Sequence, residues 1–169
     1  MGYPFDVTIK VTFTLKNTSL TIKVQAENVG RKNAPYGCGW HPYFKSDKRI
    51  DDCEIMIPAE SILETSMTKE LIPTGKKQHN IFGSEKKLLG DTTFDTCFTD
   101  LTGYKVIFDH IELWMDESMK YLQIYTPETR NSIAIEPMSC APDAFNNGMG
   151  LIILKPGEEV EHEFGIRLI

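Results

Sequence analysis

The segment GWHPYF, residues 39–44, sets a histidine among aromatic, Gly and Pro residues. His41 precedes Pro42, and a residue before proline is pushed into extended geometry while the proline fixes its own φ. The imidazole direction is thereby held at low entropic cost, either for proton transfer near neutral pH or as a satisfied core histidine. Glu136, in SIAIEPMSCAPDAFNNG (residues 132–148), closes an apolar strand pattern and opens an irregular loop. Desolvation there raises a carboxylate's pKa toward what a general base needs, although a strand-end glutamate can also cap loop amides. Asp95, in TTFDTCFTDL (residues 92–101), has Phe94, Cys97 and Phe98 around it. An acceptor-only carboxylate in that setting can hold sugar hydroxyls or satisfy turn amides.

The remaining candidates read as structural. His162 alternates with Glu161 and Glu163 on a strand pattern, His79 lies in a polar stretch, and His110 follows Asp109 at a turn. Cys38, Cys53, Cys97 and Cys140 contain no C-x-x-C pair, so free, mostly buried thiols are expected rather than a zinc site or disulfide framework. The chain has no nucleophilic serine elbow, P-loop, Rossmann glycine fingerprint or metal-ligand spacing.

The elements that must position these residues are strands. In FDVTIKVTFTL, Phe5, Val7, Ile9, Val11, Phe13 and Leu15 point one way and Asp6, Thr8, Lys10, Thr12 and Thr14 the other, which predicts a strand with one face buried. Turn residues Asn17-Thr18-Ser19 follow, then LTIKVQAEN alternates again, completing a long hairpin. CEIMIP, YKVIFD, IELWMD, YLQIYTP, SIAIEP, LIILKP and EVEHEFGIRL repeat the pattern, and Pro156-Gly157 suits a type II turn before the last of them. No segment holds a helical period over three turns. Residues 45–94, rich in Lys, Ser, Thr and Gly, read as loops with a few short strands. The expected fold class is all-β, a single sandwich-like domain over residues 1–169.

With 169 residues the chain can bury a respectable core. Its net charge of -6 argues against a nucleic-acid partner, and neither a basic amphipathic stretch nor a long apolar run suggests a membrane. The N-terminal segment lacks a signal-peptide pattern, and Asp6 stands where N-myristoylation favours Ser or Thr. A cytoplasmic protein is the expectation.

Taken in order, GWHPYF, FDTCFTDL and IEPMSCAPDAFNNG resemble the aldose 1-epimerase (galactose mutarotase) family and its hexose-phosphate epimerase relatives, and the opening hairpin is similar to the one that precedes the histidine motif there. The resemblance covers essentially the whole chain. It implies a β-supersandwich that interconverts the α and β anomers of an aldose without a metal or organic cofactor. His41 would match the general acid that protonates the ring oxygen, Glu136 the general base that takes the C1 hydroxyl proton, and Asp95 the sugar-hydroxyl ligand, with Trp40 and Tyr43 as further sugar contacts. A histidine near the ordinary pKa of about 6.5 and a glutamate raised above about 4.3 make a workable pair at neutral pH.

The chain departs from the family in length. An N-terminal part that normally supplies strands, an arginine and often a second histidine is missing, and neither His79 nor Arg31 sits in the matching context. The expectation is therefore an incomplete sugar site, weakened activity, and sheet edges or an apolar face left open, with a homodimer or a second polypeptide covering them. Three alternatives stand beside the epimerase: a non-catalytic carbohydrate-binding module, a hexose-6-phosphate 1-epimerase, and a remnant or interaction module that binds no sugar. The second would want a basic cluster such as Lys45, Lys48 and Arg49, which a solvated loop explains equally.

Overall fold

The structure is a computed structural model that describes residues 2–66 and 71–169. The strands are β1 (Val7–Lys16), β2 (Ser19–Asn28), β3 (Ala34–Tyr36), β4 (Tyr43–Phe44) and β5 (Glu54–Met56). Next come β6 (Ala59–Thr65), β7 (Pro73–His79), β8 (Lys87–Leu88), β9 (Asp95–Leu101) and β10 (Lys105–Phe108). The last are β11 (Ile111–Met115), β12 (Tyr121–Tyr125), β13 (Ile133–Met138), β14 (Ile152–Leu154) and β15 (Glu159–Leu168). A four-residue helix, α1 (Ala144–Asn147), sits in the loop after β13. The fold is all-β, as the alternation predicts.

One sheet runs β1-β2-β15-β11-β10-β5-β8 and a second β4-β13-β12-β9-β6-β7, while β14 pairs with β3. The alternation explains how they stack. On β12, Leu122 and Ile124 are fully buried while Tyr121, Gln123 and Tyr125 face the other way. On β11, Leu113 and Met115 turn inward and Trp114 outward. Ile22, Ile55, Val106, Leu113 and Phe164 from the first sheet form one core with Phe44, Phe98, Leu122, Ile124 and Ile133 from the second. Two sheets sharing one core make a sandwich. The turn chemistry follows the sequence: Asn17 takes φ 44 between β1 and β2, and Gly157 takes φ 79 after Pro156.

Three expectations need correction. The apolar face of β1 is not buried: Ile9, Val11, Phe13 and Leu15 are 57%, 45%, 66% and 78% exposed, so none of the described residues covers them. This matches the expectation of an apolar face left open. Residues 45–94 are more ordered than a loop reading allows, for β6 and β7 are seven-residue strands that extend the second sheet. The period is invisible in PTGKKQH because all but Pro73 are exposed; residues 67–70 lie outside the described residues. Finally, β13 does not stop at Glu136 but runs through Pro137 to Met138. Pro137 is tolerated because its carbonyl accepts from Trp40 N–H (3.1 Å), so its own missing donor falls on the side of the irregular 38–42 segment.

Candidate active site

The site lies on the face of the second sheet turned away from the core. Register places Glu136, Gln123 and Cys97 in one row across β13, β12 and β9, and Tyr43, Ala134, Tyr125 and Asp95 in the next, starting from β4. His41 reaches this face because residues 38–44 run antiparallel along β13. Cys38 carbonyl accepts from Ser139 N–H (2.8 Å), Cys38 N–H donates to Ser139 Oγ (2.8 Å), Gly39 bridges Met138, and Ile135 N–H donates to Pro42 carbonyl (3.4 Å). The approach is close enough that a Cβ on Gly37 would overlap Cys140 Sγ.

His41 Nε2 stands 3.3 Å from Glu136 Oε1. The two side chains differ in exposure, 57% for His41 and 11% for Glu136. Burial pushes the Glu136 carboxyl above its usual range, His41 pulls it back down, and the negative charge of Asp95 pushes it up again. The His41 ring stacks on Tyr43 with centroids 5.2 Å apart. Asp95 Oδ1 accepts from Gln123 Nε2 at 2.9 Å, which orients the carboxylate two strands from Glu136. In the same row Cys97 is buried, its thiol pushed up to about 12 by burial and by the charge of Glu136.

Four of the five sequence candidates therefore gather on this face. Trp40 does not join them. Its indole stacks on Phe164 at 5.8 Å and meets Phe44 edge-on at 6.5 Å, packed against the main core. Neighbouring residues of an extended segment point to opposite sides, so with His41 outward Trp40 turns inward. Gln123 went unnoticed in the sequence, although a lone amide between aromatic residues on the polar face of YLQIY is a signal for it. Of the basic residues after the histidine motif, Lys48 pairs with Asp109 (3.1 Å) and Arg49 with Asp51 (3.1 Å).

His162 is fully buried, with Ser118 Oγ 2.6 Å from its Nδ1 and Tyr36 stacked on it, far from any site role. His79 is exposed on β7, and His110 Nδ1 lies 3.0 Å from Asp109. The four cysteines are free. A cavity of about 380 Å³ takes in Cys38 and Gly39 of the histidine segment and Met138 of β13 but neither His41 nor Glu136. Among the described residues no group of His, Cys, Asp and Glu is placed to hold a metal ion, and no helix is long and apolar enough to cross a membrane.

The profile of the aldose 1-epimerase family matches residues 1–167. The chain belongs to that family. Among curated proteins it is 30% identical over 174 residues to YihR of Escherichia coli (strain K12), itself uncharacterized, covering 93% of this chain and 54% of YihR. Its fold is that of the GalM/aldose epimerase homologue of C. elegans, at a TM-score of 0.82 with 19% identity over 99% of this chain and 61% of that one. Slr1438 of Synechocystis sp. PCC 6803 superposes with a TM-score of 0.79 and 23% identity over 98% of this chain and 55% of its own. A galactose 1-epimerase of Lactobacillus acidophilus NCFM does so with 0.77 and 18%, over 99% and 58%. This aldose 1-epimerase family chain thus spans little more than half the length of the relatives it matches.

Proposed function

We propose that this chain, acting as one domain, interconverts the α and β anomers of an aldose, with His41 as general acid and Glu136 as general base. The observation that carries the reading is the 3.3 Å contact between an exposed imidazole and a buried carboxylate whose pKa burial has raised. The two oxygens that must exchange protons, the ring oxygen and the C1 hydroxyl, are borne on one carbon. An acid and a base in contact with each other can therefore serve both at once.

The Glu136 carboxylate takes the C1 hydroxyl proton, the O1 electrons form the aldehyde as the bond from C1 to the ring oxygen breaks, and the ring oxygen takes the His41 proton. The pair thus passes from oppositely charged to neutral. After rotation about the C1–C2 bond, the hydroxyl attacks the other carbonyl face and both transfers reverse. Asp95, held by Gln123, accepts hydrogen bonds from sugar hydroxyls, and Tyr43 offers an aromatic face to the ring.

Polarimetry of freshly dissolved α-D-glucose and α-D-galactose tests this. Acceleration by the parent chain, lost by roughly 10²–10⁴-fold in both His41→Ala and Glu136→Gln, supports it. A folded parent chain that binds either sugar without accelerating mutarotation sinks it and leaves the binding-module reading. That second reading draws on the openness of the site at His41 and Tyr43. The pairing of Lys48 and Arg49 with acids weighs against a phosphosugar.

A further inference from the structure

The outer face of the first sheet lies on the far side of the sandwich from His41 and Glu136. Ile22, Leu113, Met115 and Phe164 turn into the core, so Thr21, Glu112, Trp114 and Gly165 turn outward. Register puts Lys105, Trp114, Gly165 and Thr21 in one row across β10, β11, β15 and β2. The next row holds Glu112, Arg167 and Ser19 on β11, β15 and β2. Gly165 leaves a gap in the middle of the first row, and glycine in a strand interior often marks a place of close approach. The Trp114 ring lies over that gap, since a Cβ at Gly165 would stand 3.0 Å from its Cε2 and Cζ2. Side chains of both rows line a depression of about 530 Å³, within the roughly 300–1,000 Å³ of small-molecule sites.

Glu112 is buried, and Arg167 donates to its Oε1 at 2.8 Å, with Lys105 Nζ 3.8 Å from the same atom. Oε2 is thus the oxygen left to accept from a ligand. Arg167 is exposed and has further N–H donors. An acceptor and a donor therefore stand side by side next to a half-buried indole. We propose that this depression binds one pyranose ring of a neutral saccharide. The C–H face of the ring lies on Trp114, which offers a large apolar area. Two neighbouring hydroxyls meet the Glu112–Arg167 pair, one donating to the carboxylate and the other accepting from the guanidinium. A purely apolar ligand would strip water from that pair without replacing it, and a bare anion would face the carboxylate. A polyhydroxylated ring satisfies both halves.

The site uses nothing of the anomer site. Both sheets lie between the two, so one ring cannot occupy both, and this site stands or falls apart from the epimerase reading. A free sugar and the end residue of a longer saccharide present the same ring to Trp114, and the length of the ligand separates them.

Methyl β-D-galactopyranoside and methyl β-D-glucopyranoside are the probes, since neither has a free C1 hydroxyl to be turned over. Each is titrated to about 50 mM, a range that covers millimolar affinity. The readout is the indole N–H resonance of Trp114 in heteronuclear NMR, assigned by its loss in Trp114→Phe. A saturable shift of that resonance is expected with at least one of the two glycosides. Arg167→Ala, at an exposed position, should weaken this binding about tenfold through loss of one charge-assisted hydrogen bond. Asp95→Asn, on the other sheet, should leave it unchanged. No saturable shift with either glycoside, an affinity that Arg167→Ala does not alter, or a shift that disappears in Asp95→Asn overturns the site. A β-linked tetrasaccharide of the same sugar that binds more than about tenfold tighter assigns the site to a saccharide chain, and equal affinity assigns it to a free sugar. A saturable Trp114 shift in a chain that does not accelerate mutarotation leaves this site standing and removes only the epimerase reading.

Discussion

Glu136 occupies a position where its charge is unfavourable, and that has a consequence for stability separate from chemistry. Its folded pKa lies above the ordinary 4.5, chiefly through burial. The folded chain therefore keeps this proton to higher pH than the unfolded chain does. The associated stability is fully present below about pH 4.5 and is lost as pH rises through the raised folded value. Glu136→Gln should remove that loss, so the variant melts higher than the parent at pH 8 while the two converge near pH 4. A variant that melts lower at pH 8 would show that His41 and other partners more than offset the burial. Asp95 acts on the same carboxyl by raising its pKa. Asp95→Asn should therefore move the acid limb of the mutarotation pH profile downward, besides weakening sugar affinity, and an unmoved limb would dissociate Asp95 from the base. At this scale three residues were legible in the sequence because each stood in an unusual frame: His41 before a proline, Glu136 and Asp95 beside apolar runs. Trp40 was misplaced because composition groups it with His41, whereas backbone geometry sends the two side chains apart. Gln123 could be picked out as the lone amide on the polar face of YLQIY, but its partner Asp95, 28 positions away, could not be read from any local pattern.

At the scale of strands, alternation identifies two faces but not what lies opposite either of them. Most strands were therefore found from their pattern, yet the apolar face of β1 is open, and β7, exposed along nearly all its length, showed no period at all. Two elements carry sharp tests. β15 lies between β2 and β11, and at Gly165 a Cβ would overlap Leu20 carbonyl oxygen and press on the Trp114 ring. Gly165→Ala should cost about 1–3 kcal/mol through overpacking, a melting-point drop of roughly 2–4 °C per kcal/mol in a chain of this size. No drop would mean that β2 and β15 separate easily. Three residues earlier, His162 meets Ser118 Oγ, which also donates to Asp116, so the ring ties β15 to the turn after β11. Burial holds the His162 pKa below 6.5. The unfolded chain thus takes up this proton first, and stability is lost as pH falls from about 6.5 through the lower folded value. His162→Phe should flatten the melting profile between pH 7 and 5; an unaltered slope would place the acid sensitivity elsewhere.

For the molecule as a whole, sandwich topology and family membership were both legible, since most strand patterns and three ordered motifs survive in the sequence. That an apolar face lies open was legible too, whereas which strand carries it was not, because that depends on how many strands lie in each layer. The pairing of β15 with β2 and β11 has a consequence in time. These partners join residues 19–28 and 111–115 to residues 159–168, so the large sheet has a gap in its middle until the last stretch of chain is present. On a ribosome, β1, β2 and β11 emerge well before the strand that holds them together. The nascent chain must wait with its aliphatic surface uncovered, and then close the gap by contacts of long sequence separation, which form slowly. A fold built this way leaves strand edges open to mispairing until residues 159–168 have emerged.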